Sequence, residues 1–132
     1  MSFLLDTDTC SAHLRGEKRV YRRIMQYGGR LFVSTATVAE IKSWLFRSRT
    51  PRRFVATFAD FLADATALPI DLEIADVAGQ LGASLRDKGR SFDFGDLLIA
   101  ATALVNDHTV VTHNTRDYRV FPGLRMCDWL AE

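Results

Sequence analysis

The sequence is poor in cysteine and has no apolar run long enough to cross a membrane. Its two cysteines, Cys10 and Cys127, lack the spacing of a metal site and cannot form a disulfide framework, so we expect two reduced thiols. The longest apolar stretch, Leu97 to Val105, is well short of the roughly 20 residues that a membrane-spanning helix needs. No basic region precedes the first apolar residues, which Asp6 and Asp8 interrupt, so no signal peptide is expected. These absences predict a cytoplasmic protein with no membrane segment.

Net charge is also nearly absent, at +1, so the chain carries no global signal for nucleic acid. Lysine is scarce as well: only three of the 17 basic residues are lysines. The arginines are unevenly distributed, and four of them lie in residues 47–53. Arginine forks match phosphate oxygens in pairs, which makes this segment a candidate rim for binding a nucleic-acid backbone. A solvated corner between two helices is the alternative interpretation.

The remaining composition is that of an ordinary globular protein, with 48% hydrophobic and 25% charged residues. A chain of 132 residues can bury about two thirds of its unfolded surface in one core. There is no repeat, low-complexity tract or linker. We therefore expect a single domain spanning residues 1–132.

Short apolar segments alternate with segments of helical periodicity. Strands are predicted at Phe3–Asp6, Leu31–Val33, Leu68–Ile70, Thr109–Thr112 and Leu124–Cys127. Helices are predicted between them, with Ser34 or Thr35, Thr50 and Asp71 as N-caps. The segment from Phe94 to Asn106 is apolar nearly all round and is predicted to be a buried helix. Strands that alternate with helices predict a parallel sheet covered on both faces, hence a three-layer α/β domain.

Acidic residues follow several of these strands or begin the helices after them. Asp6 ends the first strand, Glu40 lies in the helix after the second, and Asp96 opens the buried helix. Asn114 and Asp117 follow the fourth strand. Open α/β sheets bind ligands at the carboxyl ends of their strands, and hard divalent cations prefer oxygen ligands. Metal-dependent phosphate chemistry is therefore the first hypothesis.

Each acidic residue also has a structural interpretation. Asp6 could cap a helix, and Asp93 and Asp96 are spaced like a capping pair. Glu40 could be a solvated helix residue, and Asp117 could stabilise a turn. Only their joint occurrence at one edge of a sheet favours a site.

The order of four short motifs resembles that of PIN domains, and more narrowly the VapC-type toxins of bacterial toxin-antitoxin modules. The motifs are Leu5-Asp6-Thr7, Thr37 to Ile41, Asp96 to Ala101 and Val111 to Tyr118. The segments Phe121 to Leu124 and Asp128-Trp129 resemble the family's ending, so the resemblance covers essentially the whole chain. It implies an α/β/α PIN-like fold with a short central parallel sheet. It also implies a metal-dependent endoribonuclease that leaves a 5′-phosphate and a 3′-hydroxyl.

Matched by position, the resemblance implies that Asp6, Asp96 and Glu40 bind Mg²⁺ or Mn²⁺. Asp117, the nearest carboxylate to the remaining position, is the candidate fourth member of the catalytic set. Many PIN domains have an aspartate where this chain has Asn114. Two possibilities stay open: Asp117 supplies the missing charge, or the Asn114 amide orients a water. Supporting roles are expected for Asp8, Asp93, Thr35 and Thr112.

The resemblance also implies partners. These are an RNA substrate, a cognate antitoxin that blocks the site, and a second copy of the chain in a homodimer. The helix from Phe54 to Phe61 is the candidate dimer surface, unless its phenylalanines belong to the core.

Three other functions compete with that of a ribonuclease. A haloacid-dehalogenase-like phosphatase would explain Asp6-Thr7-Asp8 after a strand, but it needs a supporting lysine. A receiver domain needs a lysine after the fourth strand, and none follows Lys88. A catalytically silent PIN fold that binds RNA or protein is the third. The histidines His13, His108 and His113 form no acid-base pair for attack by a ribose hydroxyl, and His113 is expected to contact solvent or RNA.

Overall fold

Five short parallel strands form the centre of the computed structural model, which describes residues 1–131. The sheet order is β3-β2-β1-β4-β5, and all four strand pairs are parallel. The strands are β1 (Phe3–Leu5), β2 (Leu31–Ser34), β3 (Thr66–Leu68), β4 (Thr109–Val111) and β5 (Met126–Cys127). The parallel sheet predicted from the alternation of strands and helices is confirmed.

Helices cover both faces of this sheet. They are α1 (Thr7–Leu14), α2 (Lys18–Gln26), α3 (Thr35–Leu45), α4 (Arg52–Asp64), α5 (Leu72–Asp87), α6 (Phe94–Asn106) and α7 (Thr115–Tyr118). Side chains alternate along β1, so Phe3 and Leu5 join one core with α1 to α4, whereas Leu4 joins another with α5 and α6. The three-layer α/β/α architecture is confirmed, and α6 is the buried helix that its apolar composition predicted.

The predicted position of the third strand is wrong, because this strand covers Thr66–Leu68 and not Leu68–Ile70. Pro69 has no backbone N–H to donate to a ladder, so the strand ends just before it. Ala67 pairs with Val33, in the middle of β2. Leu68 is thus the last residue of the strand, and Ile70 lies beyond its end.

The prediction of Thr50 as an N-cap is also wrong. Helix α4 begins at Arg52, and Pro51 occupies the capping position without a side-chain hydrogen bond. The Thr50 hydroxyl instead donates to the carbonyl of Trp44 at 2.8 Å, at the end of α3. By contrast, Ser34 accepts from the N–H of Ala36, and Asp71 accepts from that of Ile74, as helix capping requires.

The phenylalanines of α4 belong to the core, so they do not supply the exposed aromatic surface on which the dimer prediction rested. Phe58 is 2% exposed and Phe61 is 3% exposed, and both pack in the core beside α1 and α2. Phe54 is partly buried against the same core. Within residues 1–131, no helix is long and apolar enough to cross a membrane.

Candidate active site

The four predicted site residues Asp6, Glu40, Asp96 and Asp117 all line one cavity of about 260 Å³. They come from four separate elements, namely the end of β1, α3, α6 and α7. Two further carboxylates, Asp8 and Asp93, line the same cavity. No Lys, Arg or His among the described residues lines it, so no basic side chain in the cavity offsets the charge of the carboxylates.

Asp6 is almost fully buried, with 3% exposure, and two hydrogen bonds hold it in place. Its backbone N–H donates to the carbonyl of Val111, which fixes it to β4. Its Oδ1 accepts from the N–H of Thr9 at 2.8 Å and thereby caps α1. Burial raises the pKa of Asp6, while side-chain hydrogen bonds from Thr112 and Thr9 act against that rise. The capping and site interpretations of Asp6 are therefore compatible.

Asp96 is not the cap of α6, because that role belongs to Asp93. The N–H of Asp96 donates to Asp93 Oδ1 at 3.0 Å, which leaves the Asp96 carboxylate for the cavity. Burial raises the pKa of Asp96 to about 6, and the charges of Asp93, Asp6 and Asp117 add to this rise. At neutral pH the site therefore concentrates mutually repelling negative charge.

Glu40 is exposed but is oriented by hydroxyl groups. The Thr7 hydroxyl donates to Glu40 Oε1 at 3.1 Å and lies 3.1 Å from the Thr37 hydroxyl. Sequence reasoning missed Thr7 and Thr37. The available signals were that Thr37 lies three residues before Glu40, on the same helix face, and that Thr7 directly follows Asp6. Of the two hydroxyls expected to support the site, that of Thr112 opposes the rise in the pKa of Asp6, whereas Thr35 does not line the cavity.

Asn114 and Asp117 both reach the cavity from α7, a helical turn that sequence reasoning did not predict. The Asn114 side-chain amide donates to a carboxylate oxygen of Asp8. Its backbone N–H donates to the Thr112 hydroxyl at 2.9 Å. Asp117 is exposed and helps to raise the pKa of Asp96. The charge of Asp117 thus acts on Asp96, whereas the Asn114 amide is already hydrogen bonded to Asp8.

Tyr118 is a buried polar residue of the site that sequence reasoning also missed. It is 1% exposed, and its hydroxyl has no hydrogen-bond partner of ordinary geometry among residues 1–131. Burial raises its pKa, and the nearby carboxylates of Asp6 and Asp96 raise it further, so the phenol stays neutral. In turn, interaction with the phenol opposes the rise in the pKa of Asp96.

The donor set of the cavity suits a hard divalent cation, since it consists of carboxylate, hydroxyl and amide oxygens. Within residues 1–131, no group of three or more His, Cys, Asp or Glu side chains is already assembled as a metal site. The oxygen donors thus suit a divalent cation in kind. To bind one, the carboxylate side chains would have to move closer together.

Two further cavities, of about 780 and 650 Å³, lie at the face formed by α1 to α4. Neither is lined by any of the four predicted site residues. Arg47 and Arg49 of the arginine-rich segment line the first of them, which shares no lining residue with the acidic cavity. None of residues 47–53 therefore lines the acidic cavity.

Comparisons with known proteins agree with this architecture. The PIN domain family model matches residues 3–122. The chain is 30% identical over 130 residues to a tRNA(fMet)-specific endonuclease VapC of Salmonella typhimurium, with 98% of each chain covered. It is 29% identical to ribonuclease VapC19 of Mycobacterium tuberculosis, over 92% of this chain and 96% of that protein. Among solved structures, DNA-bound VapBC from Salmonella typhimurium gives a TM-score of 0.90 at 30% identity, with 98% of each chain covered.

Proposed function

The chain belongs to the PIN domain family, and from that premise we propose that it is a metal-dependent endoribonuclease that hydrolyses RNA phosphodiester bonds. The observation that carries this proposal is that Asp6, Glu40, Asp96 and Asp117 line one cavity to which no described residue contributes a basic side chain. Its curated relatives are named as ribonucleases or endonucleases, which supports a nuclease.

Asp6 and Asp96 would hold Mg²⁺ or Mn²⁺, with Glu40 as a third carboxylate and Asp117 in an outer position. A bound divalent cation supplies two things to such a site: a water of lowered pKa, and positive charge against the phosphate. The chain's own contribution is positioning. The hydrogen bond by which Asp6 caps α1 fixes the Asp6 carboxylate, and the Thr7 hydroxyl orients Glu40 toward the cavity.

The rival hydrolase and signalling functions receive no support from the cavity. Both a haloacid-dehalogenase-like phosphatase and a receiver domain need a lysine beside their acidic residues. Among the described residues, no lysine lines this cavity. A silent RNA-binding or protein-binding PIN fold differs from a nuclease only in cleavage, so it is tested by the experiment below.

The decisive experiment incubates the purified protein with cellular RNA, including tRNA, in Mg²⁺ or Mn²⁺ with and without EDTA. tRNA is included because one relative is named for tRNA(fMet). We expect cleavage that EDTA abolishes and fragments with 5′-phosphate and 3′-hydroxyl ends. The Asp96→Asn variant serves as the control. Cleavage that persists in EDTA, or fragments that end in cyclic phosphate, would overturn the proposed chemistry, and intact RNA would favour the silent fold.

We further propose that the protein is a cytoplasmic toxin held inactive by a cognate antitoxin. Similar solved structures are VapBC toxin-antitoxin complexes. Exposed apolar side chains also border the two cavities at the face of α1 to α4, as Trp44 does at one and Met25, 63% exposed, does at the other. Where exposed apolar groups join into a contiguous patch they mark a protein-binding surface, and these two cavities are the candidate surfaces for the antitoxin.

Expression of the wild type, but not of Asp96→Asn, should arrest growth of a bacterial host. A co-expressed antitoxin should restore growth. Equal toxicity of the two proteins would refute the toxin function. The homodimer stays a proposal without an assigned surface, and a monomer at micromolar concentration in light scattering would refute it.

A further inference from the structure

A second cavity adjoins the acidic one at α7. It has a volume of about 440 Å³ and shares Asn114 and Asp117 with the acidic cavity. Its other lining residues include two arginines and a histidine, namely Arg116, Arg119 and His113. We call these three residues the α7 basic shelf. A negative cavity and a basic shelf therefore meet across one helical turn.

The two arginines of the shelf are available to a ligand. Both are exposed, and neither forms an ion pair or a side-chain hydrogen bond with any residue from 1 to 131. They are three residues apart in a helical turn, which places them on the same side of it. Arg125, by comparison, is paired with Asp107 at 2.8 Å. A guanidinium fork binds phosphate oxygens in pairs, so this unpaired couple suits a phosphate group.

His113 is oriented by a carboxylate that is itself fixed. Its Nδ1 lies 2.9 Å from Asp128 Oδ2, and Asp128 Oδ1 accepts from the N–H of Leu130 at 2.8 Å. A carboxylate only accepts hydrogen bonds, so Nδ1 carries the proton, and in the neutral ring Nε2 is left as an acceptor. The ring is 59% exposed, which leaves Nε2 accessible. A ribose 2′-hydroxyl is the donor that an RNA backbone offers to such an acceptor.

We infer that the α7 basic shelf binds the sugar-phosphate backbone of the RNA strand next to the bond that is cut. Arg116 and Arg119 hold a phosphate, and His113 accepts a hydrogen bond from a 2′-hydroxyl. The inference rests on the proposed ribonuclease function and assigns its substrate contact to α7. The arginine-rich segment 47–53 does not border the acidic cavity, whereas the shelf does.

The arginines are tested by cleavage kinetics of the double variant Arg116→Gln/Arg119→Gln. The substrate is the RNA that the wild type cleaves, measured over a range of salt concentrations. We expect KM to rise about tenfold or more, as removal of hydrogen bonds to a charged group predicts, with kcat changed less than about twofold. The dependence of log KM on log salt should flatten by about 0.7 for each phosphate that the variant no longer neutralises.

Two variants make this result specific. Arg22→Gln/Arg90→Gln removes the same charge from exposed arginines that line neither cavity, and it should leave KM and the salt dependence unchanged. Arg116→Lys/Arg119→Lys keeps the charge and should restore the salt dependence but only part of the affinity, because lysine lacks the fork. An unchanged KM and salt dependence in the glutamine variant at α7 would overturn the inference.

His113 is tested with the same RNA carrying single 2′-deoxy substitutions near the cut. His113→Ala should raise KM for the all-ribose RNA but not for the RNA that lacks the hydroxyl it contacts. Equal effects of His113→Ala on every substrate would show that His113 does not contact a ribose 2′-hydroxyl.

Binding separates this inference from the proposed function. Fluorescence anisotropy of a labelled tRNA with Asp96→Asn, with and without the glutamine changes, reports binding to the shelf without cleavage. If the wild type cuts no RNA but this binding depends on Arg116 and Arg119, the ribonuclease function fails and the shelf stands. If the wild type cuts RNA and the glutamine changes alter neither KM nor binding, the shelf fails and the function stands.

Discussion

Asp96 and Asp93 lie three residues apart at the start of α6, and a single substitution can separate their roles. Asp93 accepts from the N–H of Asp96 and stabilises the helix, while the Asp96 carboxylate borders the acidic cavity. Asp96→Asn should abolish RNA cleavage, because it removes a charge that would bind the cation. It should leave the metal-free protein as stable or more so, because repulsion from Asp93, Asp6 and Asp117 is removed. RNA cleavage and urea unfolding measure the two effects.

Asp93→Asn is the matched control, since asparagine caps a helix about as well as aspartate. It should keep the stability of α6 and retain more cleavage than Asp96→Asn. Full activity in Asp96→Asn would remove Asp96 from the site.

The raised pKa of Asp96 also predicts how the stability of the metal-free protein depends on pH. The folded state holds the Asp96 proton up to about pH 6, whereas the ordinary pKa of the group is 3.8. Between these values the folded state binds more protons than the unfolded state, so stability falls as pH rises. This contribution is complete below pH 3.8 and is lost as pH rises through about 6.

The measurement compares the free energy of unfolding of the wild type and Asp96→Asn, free of metal, at intervals from about pH 4 to 8. The wild type should lose stability relative to the variant up to about pH 6 and then change in parallel with it. A constant difference across that range would contradict the prediction.

Asp117 and Asn114 can be ranked by their contacts. The Asn114 amide is engaged with Asp8, while the charge of Asp117 acts on Asp96. Asp117→Asn should therefore lower kcat/KM by about 10- to 100-fold, as the removal of outer groups at metal sites does, and should raise the metal concentration needed for half-maximal activity. Asn114→Ala should have the smaller effect. The reverse ranking in metal titrations of the two variants would indicate that Asn114 orients the attacking water.

Among the elements, those whose signals are local could be predicted from sequence. Ser34, Asp71 and Asp93 cap their helices through contacts two or three residues away. Elements whose limits depend on contacts distant in sequence could not be predicted in this way. The limits of β3 depend on pairing with β2, and Thr50 bonds back to α3 across a turn.

The same distinction applies to the site. Carboxylates at strand ends and helix starts could be found from their positions, because a parallel sheet brings those positions together. The link from Thr7 to Glu40 spans 33 residues, and the position of the Tyr118 hydroxyl beside the carboxylates is apparent only from the folded structure. Contacts of this kind need the packed structure.

Helices α5 and α6 pack closely at Gly82, and this contact lies beside the site. A Cβ added at Gly82 would lie 3.2 Å from Leu97 Cδ2, and Leu97 directly follows Asp96. At Gly79, in the same helix, an added Cβ would meet nothing within 4 Å. Gly79→Ala should therefore stabilise the protein by up to about 1 kcal/mol through helix propensity.

Gly82→Ala should lose part or all of that gain to crowding, and Gly82→Val should destabilise by roughly 1–3 kcal/mol. Urea unfolding of these variants, with Gly79→Val as the control for valine itself, checks the ranking. Equal effects at the two positions would show that α5 and α6 have room to separate.

Across the whole molecule, charge is nearly balanced in total but separated in space. The net charge is +1, yet six carboxylates border one cavity in which no described residue supplies a cation. Basic residues lie outside it, on the α7 basic shelf and in the arginine-rich segment. The metal-free fold therefore carries local repulsion that a divalent cation would relieve.

Cation binding should stabilise the folded protein, because the unfolded chain does not hold these carboxylates together. A ligand at one hundred times its Kd adds about 2.7 kcal/mol to the free energy of unfolding. Saturating Mg²⁺ or Mn²⁺ should thus raise the Tm of the wild type, measured by calorimetry against NaCl of equal ionic strength. Asp6→Asn/Asp96→Asn should lose this increase, while Asp60→Asn/Asp64→Asn, which changes two exposed carboxylates of α4 outside the cavity, should keep it. An equal loss in both double variants would mean that the cation acts on overall charge and not at the cavity.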